Sequence, residues 1–237
     1  MDEFTFGKIK AVIFDFDGTL AVLNIDFNAM REEVLELIRG FGVEERSITQ
    51  RYLLEMIDQV YPIVRKKSPA RASEFYRRAH QILQRFELEA ARRGRLIPGV
   101  KRTLRSLRQR GMKVGIITRN CEEAVRKVFP AVDRFCDVFI SRDGVRRVKP
   151  HPDHLSSAMK ALDVSGEEAV MVGDHPIDIQ AGKKVGMKTI GVLTGRTKRE
   201  EFEGAGADYV LREASEIFEL LEQPRQWDDE NIGDVEI

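Results

Sequence analysis

The sequence predicts an α/β protein built on a doubly wound parallel sheet, of the Rossmann type, with an inserted α-helical cap. Short apolar runs rich in β-branched residues alternate with segments of helical periodicity, which is typical of a parallel sheet covered by helices. Glycines close several of these helical segments. The first apolar run is followed at once by two carboxylates, at the sheet edge where such folds bind ligands. With 237 residues, the chain is long enough for this domain and an inserted module.

The strands and helices of the predicted core follow one another along the chain. The strand candidates are the run beginning at Val12 and the segments 114–118, 169–173 and 189–193, with 137–140 and 208–211 as weaker candidates. Helical spacing of apolar residues predicts helices over 101–110, 122–129, 152–162, 177–185 and 214–221. This order predicts parallel strands joined by crossover helices.

A segment from about Asn24 to Arg95 interrupts the alternation. Its apolar residues recur at helical spacing in three stripes, namely Phe27, Met30, Val34, Leu37 and Phe41, then Ile48, Tyr52, Met56 and Val60, then Ala72, Phe75, Ala79, Ile82 and Phe86. Helices in a bundle need such apolar faces, so the stripes predict the interior of a helical bundle. We therefore predict a core domain over 1–20 and 96–223, a helical cap over 21–95, and a flexible acidic tail over 224–237.

Composition argues against several classes of protein. Lys plus Arg and Asp plus Glu both number 39, so the net charge of zero gives no support for a nucleic-acid partner. Cys121 and Cys136 lie far apart and form no C-x-x-C pair, which argues against a disulfide framework or a thiolate metal site. The N-terminus lacks the apolar stretch of a signal peptide, and no run approaches the roughly 18 apolar residues of a membrane span. We expect a cytoplasmic protein with no membrane partner.

The first candidate motif is Asp15-Phe16-Asp17-Gly18-Thr19, directly after the first predicted strand. Aspartates two residues apart project to the same side while strand geometry lasts. One carboxylate can then reach a substrate phosphorus and the other its leaving group. Gly18 lets the chain turn sharply. The alternative interpretation is an ordinary carboxylate-rich turn, because Asp and Gly are common turn residues.

Polar residues also follow the later predicted strands. Thr118 offers a hydroxyl to a phosphate oxygen, with Arg119 as a further donor, and Lys149 offers a compact cation. Asp174 ends another strand, and with Asp15 it supplies the hard oxygen ligands that Mg²⁺ prefers. Taken singly, these residues are also typical of turns, solvated surfaces and helix caps. Together, at the same kind of strand end, they predict a phosphate site with a metal ion.

These motifs, in this order, resemble those of the haloacid dehalogenase superfamily. The likeness runs from Val12 to about Leu221 and is greatest to phosphatases with a small helical cap after the first strand, of the phosphoglycolate phosphatase type. It rests on the first motif and on three later elements, namely Thr118, the pair Lys149-Pro150, and the segment from Gly173-Asp174 to Asp178.

The resemblance implies a mechanism. Asp15 would attack phosphorus to form an aspartyl-phosphate, while Asp17 would protonate the leaving oxygen and later activate water. Mg²⁺ would be held by Asp15, the Asp17 carbonyl and Asp174. Thr118 and Lys149 would bind phosphate oxygens, and the guanidinium of Arg119, which is a candidate by its own chemistry, would be a further phosphate donor. The resemblance also implies that Asp178 acts on the metal through water or orients Lys149.

The expected substrate is a small phosphorylated metabolite, with phosphoglycolate as the leading candidate. Two alternatives stay open at this point, a phosphosugar mutase of the β-phosphoglucomutase type and a non-catalytic binding protein with the same fold. Asp17 argues against carbon–halogen chemistry, since dehalogenases lack that aspartate. Phosphonate cleavage would need a cap lysine, but Lys66 and Lys67 are expected to lie in a loop. The residues 21–24 and Arg119 depart from the phosphoglycolate phosphatase pattern.

Overall fold

A computed structural model describes residues 8–221, which form eight strands and nine α-helices. The strands are β1 (Ala11–Phe14), β2 (Ala21–Val22), β3 (Arg95–Leu96), β4 (Lys113–Ile117), β5 (Val138–Ile140), β6 (Ala169–Gly173), β7 (Lys188–Val192) and β8 (Tyr209–Leu211). The helices are α1 (Phe27–Gly40), α2 (Leu53–Lys67), α3 (Pro69–Ala91), α4 (Val100–Gln109), α5 (Glu122–Val128), α6 (Pro152–Leu162), α7 (Pro176–Lys184), α8 (Arg199–Gly204) and α9 (Ile217–Leu221).

Six strands form one parallel sheet in the order β5-β4-β1-β6-β7-β8. The strand β1 lies at the point where the order reverses, with Ala11 beside both Lys113 and Ala169. All four residues of β1 are fully buried, which explains why this strand reads as a continuous apolar run. The prediction of a doubly wound parallel sheet is therefore confirmed, and its crevice lies beyond the carboxyl ends of β1, β4 and β6.

The two faces of the sheet are covered by different helices. Ala11 and Ile13 belong to a cluster with Leu155 of α6 and Ala181 of α7. Val12 and Phe14, whose side chains alternate with those two, belong to the larger cluster that includes Leu104 of α4. This packing fixes β1 between two layers, and it gives the residue that follows β1 a rigid base.

The helices α1, α2 and α3 occupy the segment predicted to form the cap. Most of the predicted stripe residues are buried there, including Met30, Val34, Met56, Val60 and Phe75. The chain passes between this bundle and the parallel sheet at two places. The strands β2 and β3, each two residues long, lie at these places and pair with each other in antiparallel orientation. Strands of two residues are too short to show a periodic pattern of apolar residues in the sequence. Because this pair lies at the predicted joints 20/21 and 95/96, we propose it as the boundary between core and cap.

Three expectations for this bundle were wrong. Phe27 is 50% exposed rather than buried, because Asp26 caps α1 and leaves Phe27 in the open first turn. Ile48 and Tyr52 precede α2, which begins at Leu53. Lys66 and Lys67 form the last turn of α2 rather than a loop. The helix continues that far because Ser68 alone separates it from α3, where Ser68 is the N-cap and Pro69 the first residue.

The remaining differences from the predicted elements are small. Most core strands and helices begin or end one residue from the predicted bounds, while β6 and α6 match them. The predicted helix 214–221 is a 3₁₀ turn, Ala214–Glu216, followed by α9. The helix α8 was not predicted. No helix within residues 8–221 is both long and apolar enough to cross a membrane. The predicted tail over 224–237 lies outside the described residues.

Candidate active site

Asp15 lies directly beyond β1 and is held there by its neighbours. Its backbone N–H donates to the Val172 carbonyl of β6 at 2.9 Å, which continues the ladder between the two strands. Its Oδ1 accepts from the Phe16 N–H at 2.6 Å. The side chain is 13% exposed. The sheet thus presents one fixed, nearly buried carboxylate at the crevice.

Lys149 brings a buried cation to this carboxylate. Its Nζ lies 2.7 Å from Asp15 Oδ1 and 2.6 Å from Asp178 Oδ1, and the side chains of Lys149 and Asp178 are each 1% exposed. Burial by itself lowers the pKa of the Lys149 ammonium, but the two carboxylates outweigh it and hold that pKa above its ordinary value. The structure therefore unites three predicted site residues that are distant in sequence.

Asp15, Asp174 and Asp178 form an acidic cluster whose ligand oxygens lie within 4.8 Å of one another. Burial raises the pKa of Asp15 to about 6. Burial and the neighbouring carboxylates, Asp15 first, raise the pKa of Asp174 well above its usual value. One ammonium cannot compensate for three carboxylates that are buried or only partly exposed, and oxygen ligands in this arrangement suit a hard divalent cation. The donor set fits the expected Mg²⁺. The predicted contribution of the Asp17 carbonyl stays a prediction.

Asp17 is not one of the three residues of this cluster and lies in the turn that follows β1, close enough for the Asp15 charge to raise its pKa. Gly18 has φ +85° and its N–H donates to the Ala21 carbonyl at 2.7 Å, which confirms the predicted sharp turn. Asp17 Oδ1 accepts from the Leu23 N–H at 2.9 Å. Burial raises the pKa of Asp17 to about 7, although that hydrogen bond lowers it. A carboxyl with such a pKa can carry a proton near neutral pH, as a general acid must.

Two glycines make room for the Asp174 carboxylate. A Cβ at Gly18 or at Gly195 would lie 2.1 Å from Asp174 Oδ2. Thr194 strengthens the contact between the two loops, since its Oγ1 donates to the Gly18 carbonyl at 2.5 Å. Sequence analysis missed Thr194 and Gly195. They follow β7, the neighbour of β6, so the same argument from strand ends could have identified them.

Thr118 follows β4, as predicted, and is 1% exposed. Its N–H donates to the Ile140 carbonyl at 3.1 Å, and its Oγ1 accepts from the Asn120 N–H at 3.2 Å. These bonds fix the loop that begins at Thr118. A role for its hydroxyl in binding phosphate stays a prediction.

The guanidinium of Arg119 has protein partners on several sides. It forms two parallel bonds to the Glu55 carboxylate of α2, at 2.7 and 2.8 Å, and another to the Lys149 carbonyl. It also lies over the ring of Tyr52, at 5.5 Å from the centroid. The predicted phosphate-binding role of Arg119 stays a prediction. Its link to the helical bundle was not anticipated.

His154 is a fully buried side chain that sequence analysis passed over. Its Nε2 lies 3.1 Å from the Ile140 carbonyl, and its Nδ1 accepts from the Lys149 N–H at 3.4 Å. We assign the ring proton to Nε2, because a carbonyl can only accept. Burial, and next the charge of Lys149, lower the pKa of His154 to about 3. A neutral imidazole thus supports the backbone that carries the site lysine.

This buried imidazole leads to a testable pH dependence of stability. The unfolded chain protonates His154 near its ordinary pKa of about 6.5, whereas the folded protein does not until about pH 3. The contribution of a neutral His154 is therefore present above pH 6.5 and is lost as the pH falls. We expect the difference in unfolding free energy between wild type and His154→Gln to shrink by about 1.4 kcal/mol per pH unit below that point. Urea titrations over this range measure it, and a constant difference would contradict the assignment.

A model of the haloacid dehalogenase-like hydrolases matches residues 12–192. The chain belongs to this family. Its curated relatives include the pyrophosphatase PpaX of Bacillus cereus, 37% identical over 223 residues, which cover 90% of this hydrolase and 97% of the relative. The pyrophosphatase PpaX of Bacillus thuringiensis is 36% identical with the same coverage.

Solved structures share the fold of this hydrolase. A protein from Bacteroides fragilis, provisionally named a haloacid dehalogenase-like hydrolase, superposes with a TM-score of 0.66 at 22% identity and covers 88% of this chain and 99% of its own. One from Lactobacillus plantarum, provisionally named a phosphoglycolate phosphatase, gives 0.65 at 20% identity and covers 90% and 99%. The predicted family, fold class and hydrolase activity are therefore confirmed.

Proposed function

We propose that this hydrolase is a Mg²⁺-dependent phosphatase that acts on a small phosphorylated metabolite through an aspartyl-phosphate at Asp15. The observation that carries the proposal is the contact of 2.7 Å between the Lys149 ammonium and Asp15, within a cluster of three carboxylates of which Asp178 is buried and the other two are partly exposed. A buried cation beside a fixed carboxylate can hold a phosphate dianion against that carboxylate. Belonging to a hydrolase family supports the same conclusion.

We infer different tasks for the two carboxylate oxygens of Asp15. The Phe16 N–H and the Lys149 ammonium both bind Oδ1. This fixes the plane of the carboxylate, and Oδ2 is the oxygen that attacks phosphorus. The bond from phosphorus to the leaving oxygen breaks as the new bond forms, and Asp17 supplies the proton that the leaving oxygen needs. Asp17 then takes a proton from a water whose oxygen bonds to phosphorus as the bond between phosphorus and the Asp15 oxygen breaks, which releases phosphate and restores the carboxylate.

Mg²⁺ would be held by Asp15 and Asp174, with the Asp17 carbonyl as a further ligand. When bound, it offsets the repulsion between the carboxylates and the phosphate. Asp178 keeps the Lys149 ammonium pointed at Asp15 through its own contact of 2.6 Å. The hydroxyl of Thr118 binds a phosphate oxygen. These residues thus divide binding, charge compensation and proton transfer among them.

The leading substrate is a phosphoglycolate-like monoester. Pyrophosphate is a second candidate, because relatives named pyrophosphatase are 36–37% identical across nearly the whole chain. Both carry a second anionic group. The structural neighbour that is provisionally named a β-phosphoglucomutase is 23% identical, so it bears on the fold alone and does not favour the mutase alternative.

A screen for released phosphate tests the proposal. The protein is assayed with phosphoglycolate, pyrophosphate and a phosphosugar, each with Mg²⁺ and with a chelator. We expect release from at least one of the first two, with Mg²⁺ only. Conversion of the phosphosugar to an isomer without release would instead support the mutase, and no reaction with any of them would contradict the proposal.

The close approach of Gly195 to Asp174 allows a test of whether Asp174 is a metal ligand. We expect Gly195→Ala to displace the Asp174 carboxylate, since the new Cβ would lie 2.1 Å from Oδ2. Losing one of the few protein ligands should raise the Mg²⁺ concentration for half-maximal activity by about 10–100-fold. Gly204→Ala is the matched control, because nothing lies within 4 Å of its Cβ. Equal Mg²⁺ requirements for the two variants would argue against Asp174 as a ligand.

A further inference from the structure

We propose that Arg119 is a positioning residue that couples the docked helical cap to Lys149, with Glu55 as its partner on the cap. The inference rests on the proposed phosphatase function and adds to it a route by which cap docking orders the site. It gives Arg119 a task different from direct contact with the substrate phosphate.

The bond between Arg119 and Glu55 is well formed. Two parallel N–H···O contacts of 2.7 and 2.8 Å match the fork of a guanidinium to a carboxylate, and the side chains are only 21% and 25% exposed. Glu55 belongs to the first turn of α2. The pair therefore joins the bundle to the loop after β4 by a geometry that tolerates little displacement.

The same guanidinium continues to the site lysine. It donates to the Lys149 carbonyl, while the Lys149 ammonium contacts Asp15 at 2.7 Å. A continuous path thus runs from a cap carboxylate, through Arg119, to the backbone of the residue that faces the nucleophile. If the cap moved away, Arg119 would lose both bonds to Glu55, and the Lys149 carbonyl would be held less firmly.

A second contact from the same cap segment reaches the other partner of Lys149. The ring of Tyr52 lies edge-on to His175, with centroids 5.9 Å apart, as well as beneath the Arg119 guanidinium. His175 caps α7 by accepting from the Ile177 N–H, and its own N–H donates to Asp178. Glu55 therefore binds the arginine that holds the Lys149 carbonyl, and Tyr52 contacts the histidine whose N–H donates to Asp178, a partner of the Lys149 ammonium.

A double-mutant cycle tests this coupling. Glu55→Gln, Arg119→Gln and the double variant are compared in kcat, KM and thermal midpoint, in the full chain with Mg²⁺ and the best substrate of the screen. We expect each single change to lower kcat about tenfold with little change in KM, and the double variant to be no worse than either. We expect the thermal midpoints of the variants not to follow the pattern of their kcat values. A purely structural role would instead change kcat and the thermal midpoint together.

Two further variants control the cycle. Glu33→Gln removes an ion pair with Arg85 that stays within the cap, and should leave kcat unchanged. Arg119→Lys keeps the charge without the fork, so we expect kcat between those of wild type and Arg119→Gln. If Arg119→Gln fails to fold, Arg119→Lys takes its place in the double-mutant cycle.

The inference is overturned if the effects on kcat are additive, or if Arg119→Gln raises KM while Glu55→Gln changes nothing. The latter result would mean that Arg119 binds substrate. Additive effects in an enzyme that needs Asp15 would refute the coupling alone. A wild-type protein that releases no phosphate would instead refute the proposed function.

Discussion

Asp15→Asn is expected to abolish turnover, with a loss on the order of 10⁴-fold or more in kcat. An amide is too weak a nucleophile to form the acyl-phosphate, and Asp17 is held in the following turn by the bond from the Leu23 N–H to its Oδ1. The variant should fold, because Lys149 keeps its contact of 2.6 Å with Asp178. Steady-state kinetics and the thermal midpoint measure the two effects separately.

The matched control for this variant is Asp26→Asn. Asp26 caps α1 by accepting from the Ala29 N–H at 2.9 Å, and asparagine caps helices about equally well. We expect wild-type kinetics from it. If Asp15→Asn kept more than a small fraction of the activity while Asp26→Asn behaved as wild type, attack by Asp15 would be refuted.

Lys149→Met is expected to affect both catalysis and stability. The ammonium is the cation that contacts Asp15 and Asp178, so its loss should lower kcat about 10²–10³-fold, as removing one oxyanion donor does in other enzymes. Two buried carboxylates would also lose their partner, which typically costs about 3–5 kcal/mol. Urea unfolding in the presence of a chelator measures this cost without interference from a bound cation.

Lys183→Met provides the comparison for Lys149→Met. The Lys183 side chain is 44% exposed and lies 4.0 Å from Asp208, an arrangement that contributes little to stability. We expect its unfolding free energy and its kcat to stay near wild type. Equal effects of the two substitutions would contradict a special role for the buried ammonium.

The parallel sheet could be predicted because its strands are buried on both faces. Such strands read as continuous apolar runs, and β6 was predicted to the residue for this reason. The helix α6 was predicted equally well, since proline is common at the first position of a helix and Pro152 stands there. In the structure the helix ends at Leu162, and Asp163 after it is in a left-handed conformation. Residues that directly follow such strands, as Asp15 and Asp174 do, could then be assigned to one edge.

The contacts between the bundle of α1, α2 and α3 and the parallel-sheet part of the fold could not be predicted in the same way. The ion pair of Glu55 with Arg119 joins residues 64 positions apart, and it depends on how a bundle docks rather than on any periodicity. The exposure of Phe27 and the helical state of Lys66 likewise depend on the ends of helices, where local patterns are weakest. Sequence patterns thus located the chemical groups of the site, while their partners required the tertiary structure.

The central claim is that Asp15 carries the phosphoryl group during the reaction. The most direct measurement is an acid quench of the working enzyme, followed by borohydride reduction and mass spectrometry of the peptide that contains Asp15. A phosphorylated aspartate is reduced to homoserine, and we expect that product at Asp15, only when substrate is present, and not in Asp15→Asn. An unmodified Asp15 in an enzyme that is releasing phosphate, or the modification at Asp17 instead, would contradict this account.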